Sequence, residues 1–547
     1  MKPHSTFAVL LGFTAQAAGL RLNPAAAAGV GVPTTGTTAS FLRERFACTE
    51  DEVLRAERKL PRNQVDPGID PARAGDVCES LQPRLLLSEP ELRKIVLVRP
   101  QVLGCSFEAN IAPTLAALQS WLSLSEPELR KVVLAFPAVL GYSYEANLEP
   151  SLAALQSRLS LSEPELKKVV LRLPTVLGCS FEATISPRLA ALQSRLKLSE
   201  PELKKVVLAL PSVLGYSDGA NIAPSLAALQ SRLSLTEPEL KKVVLRLPQI
   251  IGLSFEANIA PKLAALQSRL SLSDAELKRV VLRLPSVLGY SEEANIAPSL
   301  AALQSRLSLS DPELKKVVLR QPSFIGCSFV TKIEPSLAAL QSRLSLSESE
   351  LRKLVLVLPT VLSYSYEDNI APSLAKITLR LSLSEPELKQ VVLRLPSVLG
   401  LSFEANIAPS LAALQSRLSL SDAELRQAVL RLPAVLSCSY EANIHPKLSY
   451  FEKAFSLAPD ELRMRVMTNP VLLGLSLELR FRPRIALASA LSVVVAQKSL
   501  VPVGVYTDAK FMAWLRRREQ VGLADEDWVA LCTLPLLERA DSLLNSR

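Results

Sequence analysis

Side chains that could carry catalysis or bind a metal are few and scattered in this chain of 547 residues. Histidine occurs only at His4 and His445, and neither belongs to a nucleophile or metal-binding motif. Seven cysteines are present without a C-x-x-C pair, and four of them share a recurring position that elsewhere holds tyrosine or leucine. Such an exchange is typical of packing. The sequence therefore predicts no catalytic residue, no metal site and no cofactor, and we expect that the protein is not an enzyme.

Lysine and arginine, by contrast, recur at fixed distances before a repeated proline. The chain has 62 basic and 53 acidic residues, a formal net charge of +9. The first basic position lies seven residues before the proline, and a glutamate four residues earlier, as Glu126 is to Arg130, predicts an ion pair within one helix. The second and third positions lie six and two residues before the proline, share a helix face, and have proline or alanine four residues before the second. We identify candidate phosphate contacts at these two positions: Lys168, Arg172, Lys242, Arg246, Arg279, Arg283, Lys316, Arg320, Arg394 and Arg431.

A further group of basic residues marks the end of the repeated region. Three arginines replace two neutral residues and an acid near the start of one helix. They are Arg480, Arg482 and Arg484, at positions that hold Asn147, Glu149 and Ser151 in an earlier copy. The repeat itself does not require this change, so it predicts that the three arginines contact nucleic acid.

The elements that position these residues follow from a repeat of 37 residues. In the second regular copy, Ser125 is a helix N-cap with Glu128 at capping-box spacing, and Pro127 lies in the first turn. Apolar residues then recur at the spacing of one buried helix face up to Phe136. After a short turn, Gly141 is the expected left-handed stop. The central proline of the repeat occurs at Pro100, Pro137, Pro174, Pro211, Pro248, Pro285, Pro322, Pro359, Pro396, Pro433 and Pro470.

A second helix is predicted to start within Glu145–Pro150 and to bury Leu152, Leu155 and Leu159. No segment has the alternation of a strand. The sequence therefore predicts an all-α protein, an α-solenoid of about twelve helix–turn–helix repeats. Tetratricopeptide and pentatricopeptide repeats are also helical pairs, but they have shorter periods and lack two fixed prolines per unit.

Composition outside the regular repeats divides the rest of the chain. Residues 1–43 contain no Asp or Glu and are rich in Ala, Ser and Thr, so we expect a disordered organelle targeting peptide. We place a degenerate first repeat at 44–87, the regular array at 88–487 and a C-terminal helical cap at 488–547. The uncharged run Ile485–Gln497 is too short to span a bilayer, and we expect no membrane partner.

The repeat resembles that of the mitochondrial transcription termination factor (mTERF) family. The pattern that carries the resemblance is L-S-x-x-E-L-[KR]-K-x-V-L-x-x-P-x-V-L-G-x-S, followed by a second helix with Asn-Ile/Leu-x-Pro near its start. The resemblance covers residues 49–515, and the run from Pro470 through the three closing arginines resembles the family's closing repeat.

The resemblance implies an organelle protein of nuclear origin whose helical pairs form a curved superhelix with a basic groove. Its partners would be organelle DNA or structured RNA, with the transcription machinery as a further partner, and we expect a monomer. In residues 1–43, a signal-like apolar core is followed by an Ala- and Thr-rich stretch. That order favours an algal plastid over a mitochondrion.

The sequence leaves more than one function open. Aromatic residues make up only 5% of the chain, which argues against extensive stacking on single-stranded bases. We therefore favour a double-stranded DNA-binding protein that regulates or terminates transcription. The alternatives are an organelle RNA-binding or processing factor and a protein-binding scaffold, which near-identical repeats would also suit.

Overall fold

A computed structural model describes residues 38–61 and 69–545. The chain divides into two compact bodies, Met1–Gly289 and Tyr290–Arg547. Every regular element in the described residues is helical, and within each body successive copies of the repeat stack on one another. The predicted all-α solenoid is therefore confirmed within each body.

The first helix, Thr38–Phe46, lies partly inside the segment predicted to be a targeting peptide. Leu42 is fully buried, and the Oγ1 of Thr38 accepts a hydrogen bond of 3.0 Å from the backbone N of Ile69. Residues 38–43, the last part of the predicted targeting segment, therefore belong to a packed helix. The rest of the predicted targeting peptide, residues 1–37, lies outside the described residues.

In the segment predicted to be a degenerate first repeat, residues 44–87, the described part contains the helices Glu50–Glu57 and Pro71–Arg84. Thr49 and Glu52 form a capping box at the start of the first of these helices. The helix start is thus preserved even where the apolar pattern of the repeat is weak.

Each regular repeat begins with a ten-residue helix, named here helix A. In Glu126–Ala135, the backbone N of Ser125 donates to Glu128 at 2.8 Å, which confirms the predicted capping box. Val132 and Val133 are fully buried, as the apolar spacing predicted. The copies of helix A are Glu89–Val98, Glu126–Ala135, Glu163–Arg172, Glu200–Ala209, Glu237–Arg246, Asp274–Arg283, Asp311–Arg320, Glu348–Val357, Glu385–Arg394, Asp422–Arg431 and Pro459–Thr468.

Helix A ends before the repeated proline, because proline lacks the N–H that would continue the helix and restricts the residue before it. Phe136, which precedes Pro137, has φ −139° and ψ 74°. A short turn of 3₁₀ helix follows. Its copies are Pro100–Gly104, Pro137–Gly141, Pro174–Gly178, Pro211–Gly215, Pro248–Gly252, Pro285–Gly289, Pro322–Gly326, Pro359–Ser363, Pro396–Gly400 and Pro433–Ser437, with the α-helical turn Val471–Gly474 in the closing repeat.

One turn of π-helix then leads into the second helix of the repeat. In the second copy, the Oγ of Ser143 accepts a hydrogen bond from the backbone N of Ala146 and so caps this turn. The π-helical turns are Phe107–Ile111, Tyr144–Leu148, Phe181–Ile185, Asp218–Ile222, Phe255–Ile259, Glu292–Ile296, Phe329–Ile333, Tyr366–Ile370, Phe403–Ile407, Tyr440–Ile444 and Leu477–Phe481.

The second helix, named here helix B, begins one residue before the fixed proline, at Glu149 in the second copy, within the predicted Glu145–Pro150. Leu152, Leu155 and Leu159 on Glu149–Leu159 are buried. The copies of helix B are Ala112–Trp121, Glu149–Leu159, Ser186–Leu196, Ala223–Arg232, Ala260–Leu270, Ala297–Leu307, Glu334–Arg343, Ala371–Leu381, Ala408–Leu418, His445–Phe455 and Arg482–Ala490.

The left-handed residue of the repeat lies after helix B and not at the predicted glycine. Ser160 has φ 48° and ψ 49°, and the backbone N of Leu161 donates to the carbonyl oxygen of Gln156 at 2.9 Å, as in a Schellman cap. Gly141 does not have a left-handed backbone. The residue after it, Tyr142, is extended, and the π-helical turn follows. The prediction for Gly141 is therefore wrong. Equivalent left-handed residues are Ser123, Lys197, Ser234, Ser271, Ser308, Ser345, Ser382, Ser419 and Ser456.

The recurring glycine at the end of the 3₁₀ turn instead makes room for a side chain of the preceding repeat. A Cβ on Gly252 would lie 2.6 Å from Oη and 2.9 Å from Cε2 of Tyr216. Tyrosines of preceding repeats also lie next to Gly178, Gly326 and Gly400.

Serine replaces this glycine in two repeats, and both follow a repeat without the tyrosine. Ser363 follows a repeat with Cys327 at the tyrosine position, and Ser437 follows a repeat with Leu401. A Cβ on Gly141, which follows Cys105, would meet no atom within 4 Å. Glycine is therefore required only where the preceding repeat carries tyrosine.

Short helices close the second body after the last repeat. The final helix packs on Arg482–Ala490, the closing helix B. Phe511, from the middle of this segment, is fully buried. The helices of this cap are Gln497–Ser499, Leu500–Gly504, Asp508–Arg516, Asp525–Thr533 and Arg539–Asn545, of which the first is a 3₁₀ turn.

The glycine contact yields a stability prediction. We expect Gly252→Ala to lower the free energy of unfolding by about 1–3 kcal/mol, the usual cost of overpacking, because the ring of Tyr216 must move. Gly141→Ala is the matched control, and we expect its stability to be unchanged or slightly higher. Urea unfolding of both variants checks this prediction. Equal unfolding midpoints, or no recovery when Gly252→Ala is combined with Tyr216→Leu, would contradict it.

Candidate nucleic-acid interface

The first basic position of helix A forms an ion pair with the preceding repeat. The Nζ of Lys204 lies 2.8 Å from Oε2 of Glu165 and donates to the carbonyl oxygen of Ser160 at 2.7 Å. Glu165 is also the capping-box residue of its own helix A, so one carboxylate closes a helix start and holds the next repeat. These basic residues are named the ladder cations. Their ion pairs, at 2.6–2.8 Å, are Arg93–Glu52, Arg130–Glu91, Lys167–Glu128, Lys204–Glu165, Lys241–Glu202, Lys278–Glu239, Arg352–Glu313, Lys389–Glu350, Arg426–Glu387 and Arg463–Glu424.

The ion pair predicted within one helix, between Glu126 and Arg130, is not formed. Arg130 instead lies 2.6 Å from Glu91 of the preceding repeat. Glu126 points to the other side, where Arg84 lies 2.7 Å away and the Nε2 of Gln119 donates to it at 2.9 Å. The position was expected to be ion-paired, and it is, but its partner comes from the stacking of repeats.

The carboxylates of the ladder have pKa values well below the ordinary value of 4.5. The Lys167 ammonium and the backbone N–H of Ser125 both donate to Glu128 and lower its pKa to about 2. Five further ladder carboxylates also have a pKa of about 2: Glu91, Glu313, Glu350, Glu387 and Glu424.

The second basic position of helix A is exposed and free of carboxylate partners. Lys168 is exposed, and no carboxylate oxygen of the described residues lies within 4.0 Å of it. Glu165, three residues before it, pairs with Lys204 of the next repeat instead. The same holds for the other residues predicted at this position, Lys242, Arg279 and Lys316.

The sequence analysis missed four residues in the same environment. They were passed over because their repeats lack a basic residue at the third position, although the second position alone carries the signal. These exposed residues, without a carboxylate partner in the described part of the chain, are Lys94, Lys131, Lys205 and Lys353.

The third basic position is also exposed, and its arginines reach the backbone of the next repeat. The Nη1 of Arg431 donates to the carbonyl oxygen of Met467 at 3.1 Å, and Arg394 donates to Leu430 at 3.3 Å. These carbonyls lie in the last turn of the next helix A, where they have no partner within the helix. Arg172 and Arg320 make the same contact at 3.4–3.5 Å, and Arg246 and Arg283 are exposed as well.

The second and third positions together form one exposed face of the A helices, named here the cation stripe. In the first body, stripe residues of neighbouring repeats line a shallow groove between two A helices. The residues that line it are Lys168, Arg172, Pro201, Lys204, Lys205, Leu208 and Ala209. Ammonium and guanidinium groups that face solvent without a carboxylate are available to an anion from outside the protein.

Basic residues of helix B differ from those of the stripe, because they are paired between repeats. Arg232 lies 3.0 Å from Asp274, and Arg306 lies 2.9 Å from Glu334 and 2.6 Å from Glu348. These helix B arginines are therefore neutralised by carboxylates, whereas Lys168 and the other second-position cations of helix A have no carboxylate partner in the described residues.

The closing arginines that were predicted to contact nucleic acid lie in three different environments. Arg484 is 2% exposed, and its Nη1 donates to the carbonyl oxygens of Val503 at 2.9 Å and Tyr506 at 2.8 Å. Its guanidinium carbon lies 4.5 Å from the ring centre of Phe511, and burial lowers its pKa to about 10. Arg484 is therefore buried, not exposed at the surface, and its side chain holds the C-terminal cap.

The other two closing arginines are more accessible. Arg480 is half-buried, and its Nη2 donates to the carbonyl oxygen of Tyr506 at 2.7 Å. Arg482 is exposed, lies 2.8 Å from Glu478 and stacks on the ring of Tyr450 at 5.0 Å. Of the three, only Arg482 presents most of its guanidinium to solvent.

A signal in the sequence could have identified the role of Arg484. Its position, directly after the proline of helix B, is also basic in earlier repeats. The Nη1 of Arg188 donates to the carbonyl oxygen of Leu214 at 2.8 Å, and the buried Lys447 donates to that of Leu473 at 2.6 Å. A basic residue at this position therefore reaches the backbone of the next element, and comparison with Ser151 alone concealed this.

The repeat geometry agrees with a comparison of the chain with known families. A profile described as mTERF matches five overlapping stretches, residues 72–196, 153–270, 191–343, 259–378 and 339–511. Together they cover residues 72–511, which is more than half of the chain.

The chain belongs to the mTERF family. No curated protein matches it at a significant level. Membership in the mTERF family indicates an organelle protein that binds nucleic acid and has a role connected with transcription.

The other polar side chains of this mTERF protein form no centre in the described residues. All seven cysteines are free thiols, and burial raises the pKa of Cys105, Cys179 and Cys438. In the described ranges, no three His, Cys, Asp or Glu side chains lie close enough to hold a metal ion. His445 is exposed beside the ring of Tyr440. No helix in the same ranges is long and apolar enough to cross a membrane.

The ladder predicts how the stability of mTERF repeats depends on pH. Because the folded pKa of Glu128 and of the five other ladder carboxylates named above is about 2 and the ordinary value is 4.5, their contribution is complete above the ordinary value. It is lost as the pH falls from 4.5 towards 2, because protonation removes the ion pair. We expect the thermal unfolding midpoint to fall over this range. The measurement is thermal unfolding followed by circular dichroism across it.

A pair of variants isolates the ladder from the other carboxylates. We expect Glu128→Gln to lower the midpoint at neutral pH and to reduce its fall in acid. Glu145→Gln, at an exposed carboxylate with no ion pair in the described residues, should change neither quantity. Identical acid profiles for the two variants would show that the ladder does not set the pH dependence.

Proposed function

We propose that the cation stripe binds the sugar–phosphate backbone of double-stranded organelle DNA, and that the bound protein regulates or terminates transcription by obstructing the polymerase. The observation that carries this proposal is the row of exposed second-position cations without carboxylate partners. They recur once per repeat from Lys94 to Arg279 in the first body, and at Lys316 and Lys353 in the second. A polyanion with regularly spaced charges is the ligand that such a row fits.

The composition of the A helices supports a duplex over single strands. None of the A helices in the regular repeats contains Phe, Tyr or Trp, so the stripe offers no ring on which an unpaired base could stack. It also carries few polar side chains besides Lys and Arg. Contacts of this kind position a protein on a duplex but do not read bases.

The two stripe positions have different tasks in this proposal. The second-position lysines are mobile point charges that follow the backbone. The third-position arginines are held at one edge by a carbonyl oxygen of the next helix A, as Arg431 is by Met467, and present the remaining N–H groups to a phosphate. Both positions are basic in four repeats, and we propose that these four make the strongest contacts: Lys168 and Arg172, Lys242 and Arg246, Arg279 and Arg283, Lys316 and Arg320.

The stripe weakens towards the end of the array. The second position holds Gln390, Gln427 and Met464 in the last three repeats, where Arg394 and Arg431 are the stripe residues that persist. Arg482 extends the basic surface into the closing repeat.

We propose that the protein acts as a monomer, with the transcription machinery as a further partner. We also propose that the protein works in a plastid, on the basis of the composition of residues 1–43.

Paired variants of neighbouring lysines test the proposed interface. We expect Lys168→Gln with Lys205→Gln to weaken binding to a short DNA duplex at unchanged stability, since glutamine already occupies this position at Gln390 and Gln427. If each lysine meets one phosphate, the slope of log K against log salt should fall by about 2. Fluorescence anisotropy over a salt series measures both quantities.

The matched control removes the same charge from the same two helices. We expect Lys167→Gln with Lys204→Gln to lower the unfolding midpoint, because both are ladder cations, and to leave the salt slope unchanged. Equal loss of binding in both pairs would contradict a specific role for the stripe.

Further titrations separate the alternatives. Tighter binding to duplex or hairpin RNA than to DNA would favour the RNA-processing alternative. Absence of binding to any nucleic acid at low salt would contradict the proposal and favour a protein-binding scaffold.

A further inference from the structure

Three arginines from different parts of the C-terminal region meet at one point of the second body. Arg480 and Arg484 both donate to the carbonyl oxygen of Tyr506, at 2.7 and 2.8 Å. Arg484 also lies 3.7 Å from Asp508, and the Nη2 of Arg539 lies 2.8 Å from the same carboxylate. The closing repeat, the middle of the cap and its final helix are thus joined through one group of charges, named here the arginine cluster.

The arginine cluster has more positive than negative charge. Arg484 and Arg539 share one carboxylate within 4.0 Å, that of Asp508, and Arg480 has no carboxylate partner in the described residues. Arg484 and Arg539 are only 2% and 5% exposed, so their charges are withdrawn from water. One carboxylate does not balance two buried positive charges, and this excess favours an anion from outside the protein.

Several hydrogen-bond donors of the cluster have no acceptor. The Nε atoms of Arg480 and Arg484 and the Nη1 atom of Arg539 are buried and form no hydrogen bond. Unused Nε atoms also occur on ladder arginines such as Arg130 and Arg352, whereas the unused Nη1 belongs to Arg539 alone in the described residues. A guanidinium that offers N–H groups on two edges is suited to an oxyanion.

The cluster lies at the start of a helix and borders solvent. Asp508 is the first residue of Asp508–Arg516, a helix capped by Thr507, and its side chain is 48% exposed. The N-terminus of a helix favours an anion. Solvent can therefore reach the carboxylate that holds Arg484 and Arg539.

We propose that the arginine cluster is a binding site for one phosphate group. The group belongs either to free inorganic phosphate or to the backbone of a bound nucleic acid, and the same chemistry recognises both. The site is separate from the cation stripe, so it does not depend on the proposed function. When it is filled, the phosphate supplies the negative charge that Asp508 alone does not, and it fastens the cap to the closing repeat.

Thermal unfolding of the full chain in phosphate and in chloride at equal ionic strength tests the site. We expect phosphate, and sulfate in its place, to raise the unfolding midpoint saturably. Arg480→Gln should weaken this response about tenfold, the effect of losing one charge-assisted contact. Arg482→Gln is the matched control two residues away, and it should respond as the natural chain does. Equal midpoints in phosphate and chloride, or equal responses of the two variants, would overturn the proposal.

A third variant tests the role of the carboxylate by chemical rescue. Asp508→Asn leaves the cluster without an anion, so we expect a low midpoint in chloride and a larger gain in phosphate than the natural chain shows. A gain no larger than that of the natural chain would count against the site.

Duplex binding by Arg480→Gln in chloride distinguishes the two sources of phosphate. Weaker duplex binding by Arg480→Gln, together with its reduced phosphate response, assigns the site to nucleic acid. Unchanged duplex binding with a lost phosphate response assigns it to free phosphate. If the stripe variants do not change duplex binding, the proposed function fails, but the phosphate response and the Arg480→Gln result still test the arginine cluster.

Discussion

In each repeat, one glutamate accepts a backbone hydrogen bond and forms an ion pair with the next repeat. The distribution of charge on the surface of the A helices depends on these two contacts. Glu165 accepts the backbone N–H of Ser162, which closes the start of its own helix, and it holds Lys204 of the next repeat at 2.8 Å. Because a repeat cannot bury its apolar face alone, its stability lies in contacts with its neighbours. The ladder adds a polar contact to each of these interfaces. It also pairs the first basic position with a carboxylate. The second position, one residue later, is left as the cation without a carboxylate partner.

Local features of the chain were the most predictable. The Ser-x-x-Glu cap, the proline that ends helix A and the leucines of helix B all act within a few residues, and the structure has each of them where the sequence placed it. Features that depend on stacking were not predictable from one repeat. The partner of Arg130 is Glu91, 39 residues earlier, and the reason for Gly252 lies in Tyr216 of the preceding repeat. Ser160 adopts a left-handed backbone that its residue type does not favour, because the Schellman cap and the buried Leu161 hold it there.

The stripe residues of the candidate site were predictable from the sequence, and the closing arginines were not. The reason is again the difference between local features and contacts with other parts of the chain. Exposure and free charge at the second and third positions follow from helix periodicity, and the structure has the predicted stripe residues on one exposed face. The closing arginines depended on a segment outside the repeat. Nothing in the repeat pattern shows that Arg484 would be covered by Val503 and Tyr506, to which its guanidinium donates and so attaches the cap. In this mTERF protein, basic residues that recur within the repeat therefore predict an exposed surface better than basic residues that appear at the end of the array.

The match between tyrosine and glycine has a consequence for how such an array can change length. From Cys105 to Tyr364, a tyrosine stands in every second repeat, and it requires a glycine in the repeat that follows. Removal of the single repeat that contains Cys327 would bring Tyr290 against Ser363, whose side chain occupies the space that the ring needs. Removal of two consecutive repeats would restore the original neighbours. Loss or gain of a single repeat should therefore disturb packing where it sets a tyrosine against Ser363 or Ser437, whereas removal of the Cys179 repeat would set Tyr142 against Gly215 without a clash. Changes in steps of two repeats avoid the unfavourable contact throughout this part of the array.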